Sequence, residues 1–110
     1  MTSLIVRVAW EQLRIRDGAT LNGTYQTMGG PLEHNCFLIK MVNESGSDVL
    51  VSIDGVTPID ICPAGGFFLY DECANASREG GLTIPRWTQF YINGAVTVGN
   101  IYLVAQYAGT

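Results

Sequence analysis

One histidine, His34, lies in the stretch Pro31-Leu32-Glu33-His34-Asn35-Cys36, and any nucleophilic mechanism of the Ser-His-Asp or Cys-His kind must pass through it. Cys36, two residues on, falls on the same side of an extended chain. A working Cys–His pair normally converges from separate elements, whereas strand neighbours point the same way without meeting. His34 therefore reads as a structural or interface residue. The carboxylates Asp54, Asp60, Asp71 and Glu72 raise the chemistry of a glycosidase pair or a calcium site. None has EF-hand spacing. Turn chemistry accounts for Asp54 before Gly55, and the exit from a strand accounts for Asp71-Glu72. No catalytic residue, metal site or cofactor is expected, and the chain reads as a non-enzyme.

Cys36, Cys62 and Cys73 are odd in number and match no metal-ligand spacing. Buried free thiols, which behave as small apolar side chains, are expected. Synthesis in a cytoplasm without disulfides follows. Asn-x-Ser/Thr triplets at Asn22, Asn43 and Asn75 then reflect a loop-rich composition. Met1 to Arg7 lacks a basic leader and an adequate apolar core, so no signal peptide is expected. No stretch approaches the roughly 20 apolar residues that span a bilayer, so no membrane partner is expected. The net charge is −4 and the cations Arg7, Arg14, Arg16, Lys40, Arg78 and Arg86 are scattered, which argues against nucleic acid.

The aromatics offer a second kind of chemistry. Tyr25, Tyr70, Tyr91, Tyr102, Tyr107, Trp10 and Trp87 are candidates for a sugar-stacking platform. Tyr70, Phe90 and Ile92 fit the core better, because they sit in alternating strands. Trp87, after Pro85-Arg86 at a strand edge, is the best candidate for exposure. Trp beside Arg is also the composition of protein-interface hot spots. Trp10, Arg14 and Arg16 on an N-terminal ribbon, with Arg86 and Trp87, are the residues expected to touch other subunits.

Strands must position these groups. Leu4, Val6, Val8 and Trp10 alternate with other residues, and Leu13 and Ile15 continue the alternation, which reads as a strand or two with a break. Ala9 to Leu13 has helix-forming residues, but Ile15 and the valines favour β. Thr24–Met28, Ile59–Cys62, Phe67–Tyr70, Leu82–Ile84, Thr88–Ile92 and Asn100–Tyr107 read as further strands. Cys36–Asn43 and Val49–Ile53, joined by the polar Glu44–Asp48, read as a β-hairpin with Phe37, Ile39, Val51 and Ile53 buried. Asp71–Gly81 reads as a surface loop with room for one helical turn. The last strand is expected at a sheet edge, covered by another strand or a neighbouring subunit because it carries no charge. Regular turn signals predict one all-β domain over 1–110, a jelly-roll-like antiparallel β-sandwich of about seven to nine short strands. Only 15% of residues are charged, well below the usual quarter, which hints that partner subunits cover part of the surface.

Several of these motifs together resemble small virion proteins of tailed bacteriophages. They are Gly30-Pro31-Leu32-x-His34, Ile39-Lys40-x-x-Asn43, Val51-Ser52-Ile53-Asp54-Gly55-Val56 and Pro63-Ala64-Gly65-Gly66-Phe67-x-Leu69-Tyr70-Asp71, then Ile84-Pro85-x-x-Thr88-Gln89-Phe90-Tyr91 and Gly99-x-Ile101-Tyr102-x-Val104-x-x-Tyr107. The likeness spans roughly Thr24 to Gly109. It implies a structural protein of the virion, attached in many copies to the capsid surface as decoration or to the head–tail neck. Its partners would be itself and the capsid, portal or neck proteins. The alternative is a receptor- or glycan-binding module of a tail or head fibre. The family supplies no catalytic residues.

Overall fold

The computed structural model describes residues 7–71 and 83–109. Among them nine strands form: β1 (Arg7–Trp10), β2 (Arg14–Asp17), β3 (Gln26–Thr27), β4 (Cys36–Asn43), β5 (Val49–Ser52), β6 (Pro58–Cys62), β7 (Phe67–Asp71), β8 (Tyr91–Asn93) and β9 (Asn100–Gly109). One 3₁₀ turn, Gly18–Thr20, follows β2, and Asp17 caps it by accepting the Ala19 amide. All pairings are antiparallel. The first sheet runs β1-β9-β4-β7, with β2 beside β1 on the same flank of β9, and the second runs β3-β8-β5-β6.

β1 and β2 together make one interrupted strand, which leaves eight. Successive strands then cross from sheet to sheet everywhere except between β5 and β6, the strand order of a jelly roll. The expected all-β antiparallel sandwich is therefore the fold. Alternation builds its core. Ile39 and Met41 of β4 turn inward beside Leu103 and Ala105 of β9, and they meet Val49, Val51 and Ile92 from the second sheet. Leu21, Met28, Leu32 and Phe90 close the ends.

Three expectations need correction. Cys36–Asn43 and Val49–Ile53 do not form a hairpin, because β4 and β5 belong to different sheets. Asn43 turns the chain across the sandwich. Its fully buried side chain donates through Nδ2 to the Ser47 and Cys62 carbonyls at 2.8 and 3.0 Å, and its Oδ1 accepts from the Ser45 amide and hydroxyl. The hairpin is instead β5–β6, closed over Asp54-Gly55. Ile53 is 50% exposed rather than buried. The strand stops at Ser52, whose Oγ bonds Asp54 and the Gly55 amide, and the chain swings Ile53 outward as the first loop residue. Finally, β9 is not an edge strand: another strand does cover it, as expected, with β1 and β2 on one side and β4 on the other.

The N-terminal ribbon does contain a break, and its form matters for the site. Trp10 pairs with Gln106 and Arg14 with Leu103, so three residues, Glu11 to Leu13, face two on β9. This is a β-bulge of one extra residue, and such a slip reverses which parity faces outward. Val8 and Trp10 face out before it, and Ile15 faces out after it. The reversal explains why the apolar positions change from even to odd numbers along this segment. At the C-terminal end, Asn100–Tyr107 extends to Gly109. Ile84 makes a single bridge to Cys36, while Leu82 and most of Asp71–Gly81, including Cys73, lie outside the described residues.

Candidate functional site

The bulge aims Glu11 inward, and its carboxylate becomes the hub of a polar cluster with only 3% of the side chain exposed. Oε1 accepts from Arg14 at 2.9 Å, and Oε2 accepts from the Glu33 amide at 3.0 Å and from His34 Nδ1 at 2.8 Å. Facing a carboxylate, Nδ1 is the protonated ring nitrogen. Burial pushes the Glu11 pKa up. The hydrogen bonds from His34 and Arg14, with the Arg14 charge and the Glu33 amide, outweigh it and hold the carboxyl below its ordinary value. The imidazole stacks on Tyr107, with ring centroids 3.6 Å apart and planes 3° from parallel.

Cys36 Sγ also reaches Glu11 Oε2, at 3.6 Å. Histidine, thiol and carboxylate therefore do meet, but in the wrong arrangement for a nucleophile. Both His34 and Cys36 point at Glu11, so the imidazole is placed to orient a carboxylate and not to take the thiol's proton. Burial and the adjacent Glu11 charge push the Cys36 thiol up to about 12, which keeps it a thiol. Cys62 is likewise buried and free, and burial raises its pKa. Nothing in the sequence reading singled out Glu11. The available signal was a carboxylate at the point where the apolar alternation changes phase.

The other carboxylates serve turns and strand contacts. Asp54 Oδ1 accepts from the Thr57 and Val56 amides and the Ser52 hydroxyl, which hold its pKa well below the carboxylate range. Asp60 accepts from the Tyr70 hydroxyl, and burial together with this bond raises the tyrosine pKa. Among the described residues no three His, Cys, Asp or Glu side chains group as a metal site would require.

The five residues expected at subunit contacts divide sharply. Arg14 is tied to its own chain: Nε donates to the Gly30 carbonyl at 3.0 Å, and NH2 donates to the Pro31 carbonyl and Glu11. It pins the 29–31 loop to the ribbon. Arg16 reaches the Thr27 carbonyl at 3.4 Å from a half-buried position. Trp10, Arg86 and Trp87 remain exposed. Arg86 lies over the Trp87 ring, 4.3 Å from its centroid, as a cation–π pair.

Trp87 has an unusual backbone. Thr88 N donates to the Pro85 carbonyl to close a β-turn, and Trp87, the third residue, has φ +76°. Glycine or asparagine normally fills that position, since a Cβ there costs energy. Trp87 nonetheless keeps a large ring that is 63% exposed. Its amide donates to the Leu32 carbonyl at 2.8 Å, fixing the turn beside the ribbon. Between turn and ribbon runs a groove of about 470 Å³, walled by Leu13 and Ile15 on one side and by Gly29, Gly30, Pro31 and Trp87 on the other. Arg86 opens onto a second hollow beside His34 and Tyr107. The fold thus brings Trp87 to the same groove as Arg14.

The outer face of the first sheet is a separate surface. The register sets Val8 and Trp10 of β1, Ile15 of β2, Tyr102 and Val104 of β9, Lys40 of β4, and Phe67 and Leu69 of β7 on that one face. Val8, Trp10, Ile15, Phe67 and Leu69 are all exposed.

Comparison of the chain with protein-family models, with curated proteins and with solved structures finds no match.

Proposed function

We propose that the chain is a non-enzymatic structural protein of a tailed-bacteriophage virion, held in many copies on the capsid surface or the head–tail neck. The observation that carries this reading is the Arg86–Trp87 pair. An exposed tryptophan occupies a backbone position suited to glycine, with an arginine stacked on it, beside a groove. Backbone strain of this kind clusters at functional sites. Trp and Arg are also the residues that dominate interface energetics. The residue motifs supply the virion context, and jelly rolls recur in viral capsid proteins. Many copies on a repeating shell convert one modest contact into firm attachment through effective concentration. Synthesis in the host cytoplasm fits the two buried free thiols.

Jelly rolls recur in lectins as well, and Trp87 can stack on a sugar ring, so the same residue supports a second reading as a glycan-binding module of a fibre. One pair of experiments separates the two. Quantitative proteomics of purified particles should recover the chain at a fixed multi-copy ratio to the major capsid protein, and Trp87→Ala should lower that ratio. Absence from particles would overturn the structural reading. A specific hit on a glycan array, lost in Trp87→Ala, would establish the second.

A further inference from the structure

We infer that the outer face of the β1/β2-β9-β4-β7 sheet is a self-association surface whose occupant is the same face of a second copy of this chain.

Exposed apolar side chains stand at both margins of the sheet. Val8, Trp10 and Ile15 lie on the ribbon margin, and Phe67 and Leu69 on the β7 margin. Between them Val42, Tyr102 and Val104 are half-buried. Lys40 is the one charged residue on the two central strands of this face. Monomeric proteins rarely leave so extended an apolar surface open to water.

Size and chemistry select the occupant. β9 spans ten residues and the sheet has four lateral strand positions, so the face covers about 600 Å² in projection at ordinary strand rise and spacing. Its accessible area is larger than that projection, and about 800 Å² per partner is what a stable, specific interface buries. The second sheet also exposes Leu50, Ile59 and Ile61, but on strands of only two to five residues, so its face is smaller. The face carries one cation, Lys40, and one carboxylate, Asp71 at the β7 margin, so it has no net charge that would select an oppositely charged partner. It is complementary to itself, as a two-fold interface requires, and two such faces pack as sheets do in a sandwich, about 10 Å apart. The long stem of Lys40 lets its ammonium reach the rim.

The inference rests on the multi-copy reading above for its role in the virion, but its test does not depend on particles. Sedimentation velocity of the full chain over a dilution series should show a dimer. Trp10→Glu and Leu69→Glu change residues already exposed in the single copy, so circular dichroism and melting of the unassociated chain should be unchanged. Combined, they place charge at both margins and should raise the dissociation constant at least about 100-fold. Val98→Glu, on an exposed loop residue, should leave it unchanged. A wild-type chain that stays monomeric up to about 0.1 mM, or association that survives in the double variant, would overturn the inference. Particle loading is scored separately, so a monomer found on virions fails this inference alone.

Discussion

Glu11 accepts a hydrogen bond from His34 at 2.8 Å across 23 residues of sequence, and this bond joins the edge ribbon to the entrance of β4. The only histidine and a buried carboxylate are thereby joined as a structural clasp. Arg14 completes the clasp from the far side of the bulge.

Glu11→Gln should cost about 3 kcal/mol, because it leaves the largely buried Arg14 guanidinium without its charge partner. Acid should act on the same group. Its folded pKa lies below its unfolded value, which is about 4.3. Its stabilising contribution is therefore complete above that unfolded value and is lost as pH falls through the folded one. Urea midpoints measured between pH 7 and pH 3 should fall for the wild type and fall less steeply for Glu11→Gln. Parallel acid limbs in the two proteins would count against the clasp.

Asn43 makes the crossing from β4 to β5, using both amide hydrogens and its carbonyl oxygen within the core. Asn43→Ala strands the Cys62 carbonyl and the Ser45 amide, at about 1–3 kcal/mol for each buried group left unpaired. Equilibrium unfolding should show a loss of several kcal/mol, and Asn43→Asp, which keeps the acceptor but sets a buried carboxylate oxygen against the Ser47 and Cys62 carbonyls, should lose at least as much as alanine.

Val51 on β5 and Ile53 just past its end should respond very differently to charge. Val51→Asp buries an unpaired carboxylate and should abolish cooperative melting or cost several kcal/mol. Ile53→Asp should stay within about 0.5 kcal/mol of wild type, since that side chain already faces solvent. Two thermal melts decide it, and equal losses would mean that β5 continues through Ile53.

Most strands were legible because apolar alternation is a local property, although Thr24–Met28 shortens to Gln26–Thr27, Thr88–Ile92 gives way to Tyr91–Asn93, and of Leu82–Ile84 only Ile84 forms an isolated bridge. Cys36–Asn43 matches its predicted bounds, and β5, β6 and β7 depart from theirs by single residues. Partner choice was not legible. A five-residue polar loop suits both a hairpin and a crossing between sheets, and the crossing is decided by Asn43, whose partners include the carbonyl of Cys62, nineteen residues away. The exposure of Trp87 could be read from its Pro85-Arg86 context. The retention of Arg14 by its own chain could not, because it depends on carbonyls of Gly30 and Pro31 in a distant loop.

Trp87 separates folding from function most cleanly. Its φ of +76° is strained for any residue with a Cβ and unstrained for glycine. Trp87→Gly and Trp87→Ala lose the same ring, including its contact with Arg86, but only glycine relieves the backbone. The glycine variant should therefore melt above the alanine variant by an amount equivalent to about 1 kcal/mol. Both should lose occupancy on particles to the same extent, because the proposed attachment uses the ring. If the glycine and alanine variants melted together, the turn would not be strained, and nothing in the backbone would mark tryptophan as kept there for an outside partner.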